Sequence, residues 1–372
     1  MKVVVVGAGL AGVRVVESLR DKGSDAEIVL IGEEVHEPYD RPPLSKHVLR
    51  GDRDPMYLRE EYASLRIDLR LGTTATGLDG HVLRTTEGDV DFDQLVIATG
   101  AAPRRLPGRP GRVLRTLDDS RALSPYLAPG RTLGIIGAGL IGCEVAASAR
   151  TKGAEVHVVD VLEGPLIRVL GPVVSNRIAD LHREHGVHLH LGTGVASAAA
   201  DRLELVDGTV LDVDVVLEAM GVAPSVGWLE GSGLTLDNGV VCDAIGRAGD
   251  GVWAVGDVAS WAGVRREHWT SAGEQAATVA AAILGEDVVH DAVPYWWSDQ
   301  YDVKLQGLGS VAADDEVVFL EVGPRSRPLA VYSRDGRLTG VVGFSAGAAV
   351  MRLKPEIAAG APVADVLASL SG

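Results

Sequence analysis

Six glycines carry the first hint of chemistry. Gly7, Gly9 and Gly12 are spaced G-x-G-x-x-G, and so are Gly137, Gly139 and Gly142. In such a turn the first glycine bends the chain, the second lets backbone N–H groups approach a pyrophosphate, and the third lets helix and strand pack closely. The following helix offers unpaired N–H groups and a positive dipole end to phosphate. An acid ending the next strand accepts from ribose hydroxyls, and Glu33 and Asp160 stand at those places. With 46 glycines in 372 residues, about 0.7 bare matches arise by chance, so the spacing alone says little. The recurrence says more: Gly7, Gly9, Gly12 and Gly23 each return 130 positions later, as Gly137, Gly139, Gly142 and Gly153. Two bound dinucleotides, or one and an unused relic, are the readings this leaves.

Each turn needs a strand before it and a helix and strand after it. Residues 3–6 are four valines, an apolar run typical of a strand buried on both faces. The pattern predicts a helix over 13–22 closed by Gly23, then a strand over 26–31. The later copy predicts strands over 133–136 and 156–159 around a helix ended by Gly153. Segments 87–103 and 207–224 both read as a hairpin turn, a buried strand, then Gly and Pro, where the chain crosses between domains. Residues 72–89 alternate and turn like a small antiparallel meander, and a strand over 252–255 leads into Gly256-Asp257. Strands over 316–322, 328–333 and 338–344, then helices from Gly347, suit a small α+β domain.

The composition, 46% hydrophobic and 23% charged, is that of a soluble globular protein long enough for two or three domains. A net charge of −16 argues against a general binder of nucleic acid or anionic membrane. Cys143 and Cys242 lie far apart, with no C-x-x-C, disulfide framework or metal-spaced cluster. No metal is expected, and a reducing, cytoplasmic setting fits. The valine run is too short for a signal h-region or a membrane span.

Other stretches are more specific than the glycine turns. They are YDRPPLSK (39–46), LVIATGAAPRRLPG (95–108), GAGLIGCEVA (137–146), VWAVGDVA (252–259), EHWTSAGEQA (267–276) and WWSDQYDVKLQGLG (296–309). With the GAGLAG start, they make the chain resemble, over essentially its whole length, the FAD-dependent, NADH-oxidising ferredoxin reductases of bacterial oxygenase systems. These are the putidaredoxin-reductase and biphenyl-dioxygenase-reductase type, of which apoptosis-inducing factor is a relative. The resemblance implies an α/β fold with two Rossmann-like dinucleotide-binding domains of the glutathione-reductase type and a smaller α+β C-terminal domain. FAD would take residues 1–104 and 223–292, NAD residues 105–222, and the α+β domain residues 293–372.

Disulfide-exchanging cousins carry a cysteine pair after the first βαβ unit. Residues 40–46 here hold no thiol, so electrons would leave the flavin directly. The resemblance places Arg41 at the FAD phosphates or adenosine and Lys46 near flavin N5. Pro42 and Pro43 would fix the entry to a helix starting near Leu44. Lys46 is expected to pair with Glu144 across the domain interface, either to favour anionic reduced flavin and position the nicotinamide, or as a purely structural ion pair. Ala98, Thr99 and Gly100 would line FAD. Asp257 would hold a ribitol hydroxyl or cap the next helix. The helix start over 270–275 would face the flavin pyrimidine, and Trp297 would lie beside flavin and nicotinamide. Trp296 and Trp269 read equally well as core or interface aromatics. Asp160, where the family more often has glutamate, favours NADH over NADPH through the ribose 2′-OH, and Arg150 and Arg168 are the cations that would admit NADPH. Glu218 replaces the small apolar strand end usual near the nicotinamide, and either alters nicotinamide binding or turns away. The C-terminal domain is shorter than usual.

The implied function is electron transfer from NADH through FAD to a separate [2Fe–2S] ferredoxin serving a cytochrome P450 or ring-hydroxylating dioxygenase, because the chain lacks cysteines for its own cluster. Arg53, Arg59, Arg265 and Arg266 could steer an acidic ferredoxin. Monodehydroascorbate-reductase-like, NADH-oxidase or quinone-reductase activity is the enzymatic alternative, and a slow FAD- and NADH-holding redox sensor is the non-enzymatic one. A monomer is expected.

Overall fold

The four valines become the strand Lys2–Val6 near the middle of a six-stranded sheet, with Val3, Val4 and Val5 fully buried. The computed structural model describes residues 1–108 and 110–371. The strands run in the order Arg247–Gly249, Val252–Ala254, Gln94–Ile97, Lys2–Val6, Glu27–Ile31, Asp68–Arg70. All neighbours are parallel except Arg247–Gly249 against Val252–Ala254. A parallel sheet is connected by crossovers, and here the helix Leu10–Asp21 provides the first and packs against the helix Trp269–Ile283. The expected meander forms as the antiparallel strands Ala75–Asp79, Val82–Thr85 and Val90–Asp91. These elements belong to one compact unit, Met1–Asp40 with Pro55–Ala102 and Val222–Ala292.

The other compact unit comprises Arg41–Asp54, Pro103–Gly221 and Val293–Gly372. Its parallel sheet runs His188–Leu191, Glu155–Asp160, Thr132–Ile136, Val215–Glu218. The helices Leu140–Thr151 and Ile167–Glu184 belong to it, the latter kinked at Gly171 (φ +71°), just before Pro172. A five-stranded antiparallel sheet follows in the order Tyr295–Gln300, Val303–Gly309, Arg337–Phe344, Arg327–Arg334, Glu316–Val322, with helices from Gly347. One face of this sheet packs on the two helices. Trp296, Leu305, Ala330, Tyr332, Val342 and Phe344 form one apolar cluster with Cys143, Leu170, Val174 and Ile178 of the two helices.

Two boundaries differ from expectation for physical reasons. The first helix begins at Leu10, directly on the glycine turn, rather than at residue 13. The expected helix from Leu44 is a 3-10 turn over Pro42–Ser45 that ends at Lys46 (φ −125°, ψ −104°), whose side chain reaches back to Pro42 O at 3.0 Å. Among the described residues no helix is long and apolar enough to cross a membrane.

Candidate functional site

Both glycine turns leave room in front of a helix N-terminus. Gly7 has φ +110°, and a Cβ there would lie 2.2 Å from Ala98 O, while one on Gly12 would lie 2.0 Å from Gly7 O. Gly137 (φ +108°) and Gly142 repeat this geometry, at 2.4 Å from Ala219 O and 2.0 Å from Gly137 O. Gly9 and Gly139 cap their helices without any side-chain hydrogen bond, and nothing lies within 4 Å of either Cβ position. An uncapped helix start facing such a space is the cradle a dinucleotide pyrophosphate needs, so the residues fit FAD and NAD. Beside the first turn, Ala98 N donates to Val6 O at 2.7 Å and Thr99 Oγ1 to Ser225 O at 3.0 Å, and Gly100 has φ +68°. Ala219 and Gly221 (φ +85°) repeat that arrangement beside the second, with Ala219 N donating to Ile136 O at 2.8 Å.

The two acids are not equivalent. Gly7 N donates to Ile31 O and Gly137 N to Val159 O, both at 2.8 Å, which aligns Asp160 with Gly32 and not with Glu33. A Cβ on Gly32 would lie 2.7 Å from Ala8 Cβ, so the first unit carries its acid one residue later, at the exposed Glu33. Asp160 folds back on its own turn: Oδ2 accepts from Ala138 N at 2.7 Å and Oδ1 from Leu162 N at 2.8 Å. A carboxylate offers about four lone-pair directions, so two remain for further donors. Arg150 is no counter-charge for a 2′-phosphate. Its Nε and Nη1 donate to His185 O at 2.9 Å and Ala154 O at 2.7 Å, at the far end of the helix from Gly139. Arg168 is exposed near the start of Ile167–Glu184.

The loop 41–54 is tied down within the second unit. Lys46 and Glu144 are both nearly buried and meet at 2.6 Å. Glu144 Oε2 also accepts from Ser45 Oγ at 2.5 Å, and Oε1 accepts from Ser298 Oγ at 2.7 Å. Lys46 Nζ donates to Pro42 O at 3.0 Å and, through a longer bond, to Ser45 Oγ at 3.3 Å. One helical turn beyond Glu144, Ser148 Oγ donates to Ser45 O at 2.7 Å, and Ser120 Oγ holds Leu44 O at 2.8 Å. Arg41 Nη1 donates to Arg115 O at 2.5 Å. A buried charge pair with its remaining valences filled has one geometry, which is what a positioned cation requires.

Sequence reasoning missed Ser45, Ser298, Gln300 and His182. The period of two in WWSDQ was the available signal. Along Tyr295–Gln300 the even residues Trp296, Ser298 and Gln300 are buried, while Tyr295, Trp297 and Asp299 are only partly so. Trp296 is therefore core, fitted over Gly307, whose Cβ would lie 2.2 Å from the indole. Trp297 stands on the other face, stacked at 6.1 Å on Tyr295 with Lys304 Nζ 5.8 Å above its ring. From Ser298 the polar chain continues: Gln300 Nε2 donates to Ser298 Oγ at 3.2 Å, and Gln300 Oε1 and Tyr301 OH each lie 3.0 Å from a ring nitrogen of His182.

Burial drives the His182 pKa down to about 4, so the imidazole is neutral in the fold. The unfolded chain takes up a proton near 6.5 and the native one does not, so stability rises with pH between these values and is level above. Acidification from pH 7 to 4 is expected to remove roughly 3 kcal/mol through this one group. Denaturant titrations of the wild type and His182→Gln at several pH values check this. An undiminished pH slope in the variant would refute the assignment to His182.

The remaining candidates are scattered. Asp257 follows Gly256 (φ +74°), whose N–H donates to Gln275 Oε1 at 2.8 Å, and lies in a 3-10 turn, Gly256–Val258. The expected helix start over 270–275 is the first turn of Trp269–Ile283, and Trp269 Nε1 donates to Asp40 Oδ1 at 2.7 Å. Arg59 is held by Glu17 at 2.7 Å and Arg265 by Glu267 at 2.5 Å, whereas Arg53 is exposed. Glu218 turns away into the protein: Oε2 accepts from Leu106 N at 2.7 Å and Arg105 Nε at 3.1 Å, and Oε1 from Gly111 N at 2.8 Å. Burial pushes the Cys143 thiol well up and the Cys242 thiol up to about 12, so neither is a thiolate at neutral pH.

Paired glycine cradles and a thiol-free loop define a flavin- and nicotinamide-binding oxidoreductase scaffold. The chain matches the pyridine nucleotide-disulphide oxidoreductase family over residues 1–276 and the reductase C-terminal family over 295–369, and it belongs to the former. It is 38% identical to rhodocoxin reductase of Rhodococcus erythropolis, covering 86% of this chain and 80% of that one. It is 39% identical to the ferredoxin reductase component of chlorobenzene dioxygenase from Cupriavidus sp. (strain PS12), covering 92% and 89%. The solved covalent putidaredoxin reductase–putidaredoxin complex superposes with a TM-score of 0.91 at 32% identity, over 97% of this chain and 94% of that one.

Proposed function

We propose that this protein carries electrons from NADH, through bound FAD, to a separate [2Fe–2S] ferredoxin that serves a cytochrome P450 or ring-hydroxylating dioxygenase. The observation that carries the reading is the loop after the first βαβ unit. Where a dithiol relay would need two reactive cysteines, this loop presents Lys46 bonded to Glu144, and both cysteines of the chain are buried elsewhere. The chemistry FAD supplies when bound is exchange between a two-electron donor and one-electron acceptors. The chain's part is to hold the dinucleotides at the Gly9 and Gly139 helix starts and to set a cation at a defined place. Gly7, Gly9, Gly12, Glu33, Arg41, Ala98, Thr99, Gly100 and Asp257 are assigned to FAD. Gly137, Gly139, Gly142 and Asp160 are assigned to NAD, and Lys46, Glu144 and Trp297 to the meeting of the two. Residues 1–104 and 223–292 form the FAD domain, 105–222 the NAD domain and 293–372 the α+β domain of a cytoplasmic monomer. Support for the acceptor comes from the relatives, which are ferredoxin reductase components over nearly their whole length.

The test is anaerobic stopped-flow of the purified yellow protein with NADH and with NADPH, followed by mixing with a [2Fe–2S] ferredoxin. Fast bleaching by NADH, slower bleaching by NADPH and fast ferredoxin reduction are expected. Fast bleaching without transfer to several ferredoxins would overturn the acceptor and favour a quinone, ascorbyl radical or sensing role. Equal rates with NADPH would overturn the role given to Asp160.

A further inference from the structure

The NAD-side sheet carries a second cluster of chemistry, away from its glycine turn. Glu155 and His157 lie two apart on one strand, and His188 and His190 two apart on the neighbouring edge strand. The strands are parallel with His157 opposite His188 and Val159 opposite His190. A spacing of two in register puts all four side chains on one face. His157 Nε2 and His188 Nε2 both approach Glu155 Oε1, at 3.4 and 3.5 Å. The three potential ligand atoms lie within 4.8 Å of one another.

From this juxtaposition we propose that Glu155, His157 and His188 form a site for a divalent first-row transition metal, with Zn2+ the appropriate probe. Zinc bonds of about 2.0–2.1 Å in a tetrahedron set ligand atoms roughly 3.3 Å apart, close to both carboxylate–imidazole separations. Two imidazoles and one carboxylate suit zinc and its heavier neighbours and leave a coordination position for water. The fourth residue supplies the orienting contact such sites need. His157 Nδ1 lies 3.1 Å from His190 Nε2, so a proton on Nδ1 donated to His190 leaves the lone pair of His157 Nε2 directed at Glu155. His188 stacks on His157 at 4.7 Å, and its side chain is 55% exposed, which gives the ring room to turn its Nε2 lone pair towards the ion.

Occupancy ties the edge strand His188–Leu191 to Glu155–Asp160, the strand whose end carries Asp160. The sequence could have shown this only as E-x-H and H-x-H on strands of unknown register.

The test uses untagged holoprotein, stripped with a chelator that is then removed, and titrated with Zn2+ against a chromophoric zinc indicator. One equivalent is expected to bind and to raise Tm by several degrees at about 100 times its dissociation constant. Binding is expected to weaken by more than about ten-fold in His188→Ala and Glu155→Gln, and by about ten-fold in His190→Ala. Because Glu155 and His188 are exposed, those variants keep the fold even if a His157 variant does not, and their metal-free flavin spectrum and NADH-driven reduction should match the wild type. No binding by the wild type, or binding unchanged in His188→Ala, would overturn the proposal.

Discussion

Lys46→Met is expected to slow flavin reduction by NADH roughly 10²-fold or more while FAD remains bound, the scale of losing one positioned charge-stabilising donor. Lys46 Nζ has two short contacts, to Glu144 Oε2 and Pro42 O, and one at 3.3 Å to Ser45 Oγ. The long bond is the one a ligand acceptor displaces most easily. The single variant also strands a buried carboxylate, a loss of about 3–5 kcal/mol, so rate and stability must be read separately. The double variant Lys46→Met/Glu144→Leu does this. Replacing a buried ion pair by apolar groups of similar size is often neutral for stability. Ser45 and Ser298 lose an acceptor in the double variant, so it is expected to melt above Lys46→Met but below the wild type, and still to react slowly in single-turnover mixing. If it regains both stability and rate, the pair is only structural.

Glu218→Ala is expected to give a large loss of stability for a single change at a polar residue. The side chain is fully buried, and its carboxylate gathers two backbone N–H groups and the Arg105 guanidinium. It thereby clips Arg105, Leu106 and Gly111 to the end of Val215–Glu218, where Arg112 N also donates to Val216 O at 2.8 Å. Removing it leaves the N–H groups of Leu106 and Gly111 and the Arg105 Nε without their acceptor, about 3–5 kcal/mol, while Arg105 Nη2 keeps the Gly111 carbonyl. Tm is expected to drop by roughly 5 °C. Glu218→Gln should lose less, because its carbonyl oxygen serves some of the donors while its NH2 faces another. A Tm within about 2 °C of wild type for Glu218→Ala would refute the clip. The sequence reading left open whether this carboxylate met the nicotinamide, and its partners assign it to the crossover.

The glycine turns were legible because their demands are local. A turn with φ above +100° at Gly7 and Gly137, and a Cβ-free contact at Gly12 and Gly142, can be met only by glycine, so the residue types report the geometry directly. The strands around them were legible because burial on both faces permits only apolar runs. Two of the C-terminal strands, Arg327–Arg334 and Arg337–Phe344, were legible for the same reason, since consecutive residues along each are buried on both faces. The pairing of Lys46 with Glu144 was suggested by resemblance and not by spacing, since 98 residues separate them and only packing brings them within 2.6 Å.

What the sequence determined by itself, then, was the pair of dinucleotide cradles, the strands that flank them, and the absence of a thiol from the loop. Only the tertiary structure decided that Asp160 aligns with Gly32 and bonds its own turn, and that Arg150 is consumed at its helix end. It alone set Ser298 on Glu144, closed Glu218 over the crossover, and gathered Glu155, His157 and His188 on one face. The physical reason is common to all of these. A glycine's backbone angle is a property of one residue, but where a carboxylate or imidazole finds its partner depends on strand register and on contacts between distant segments, which no local pattern encodes.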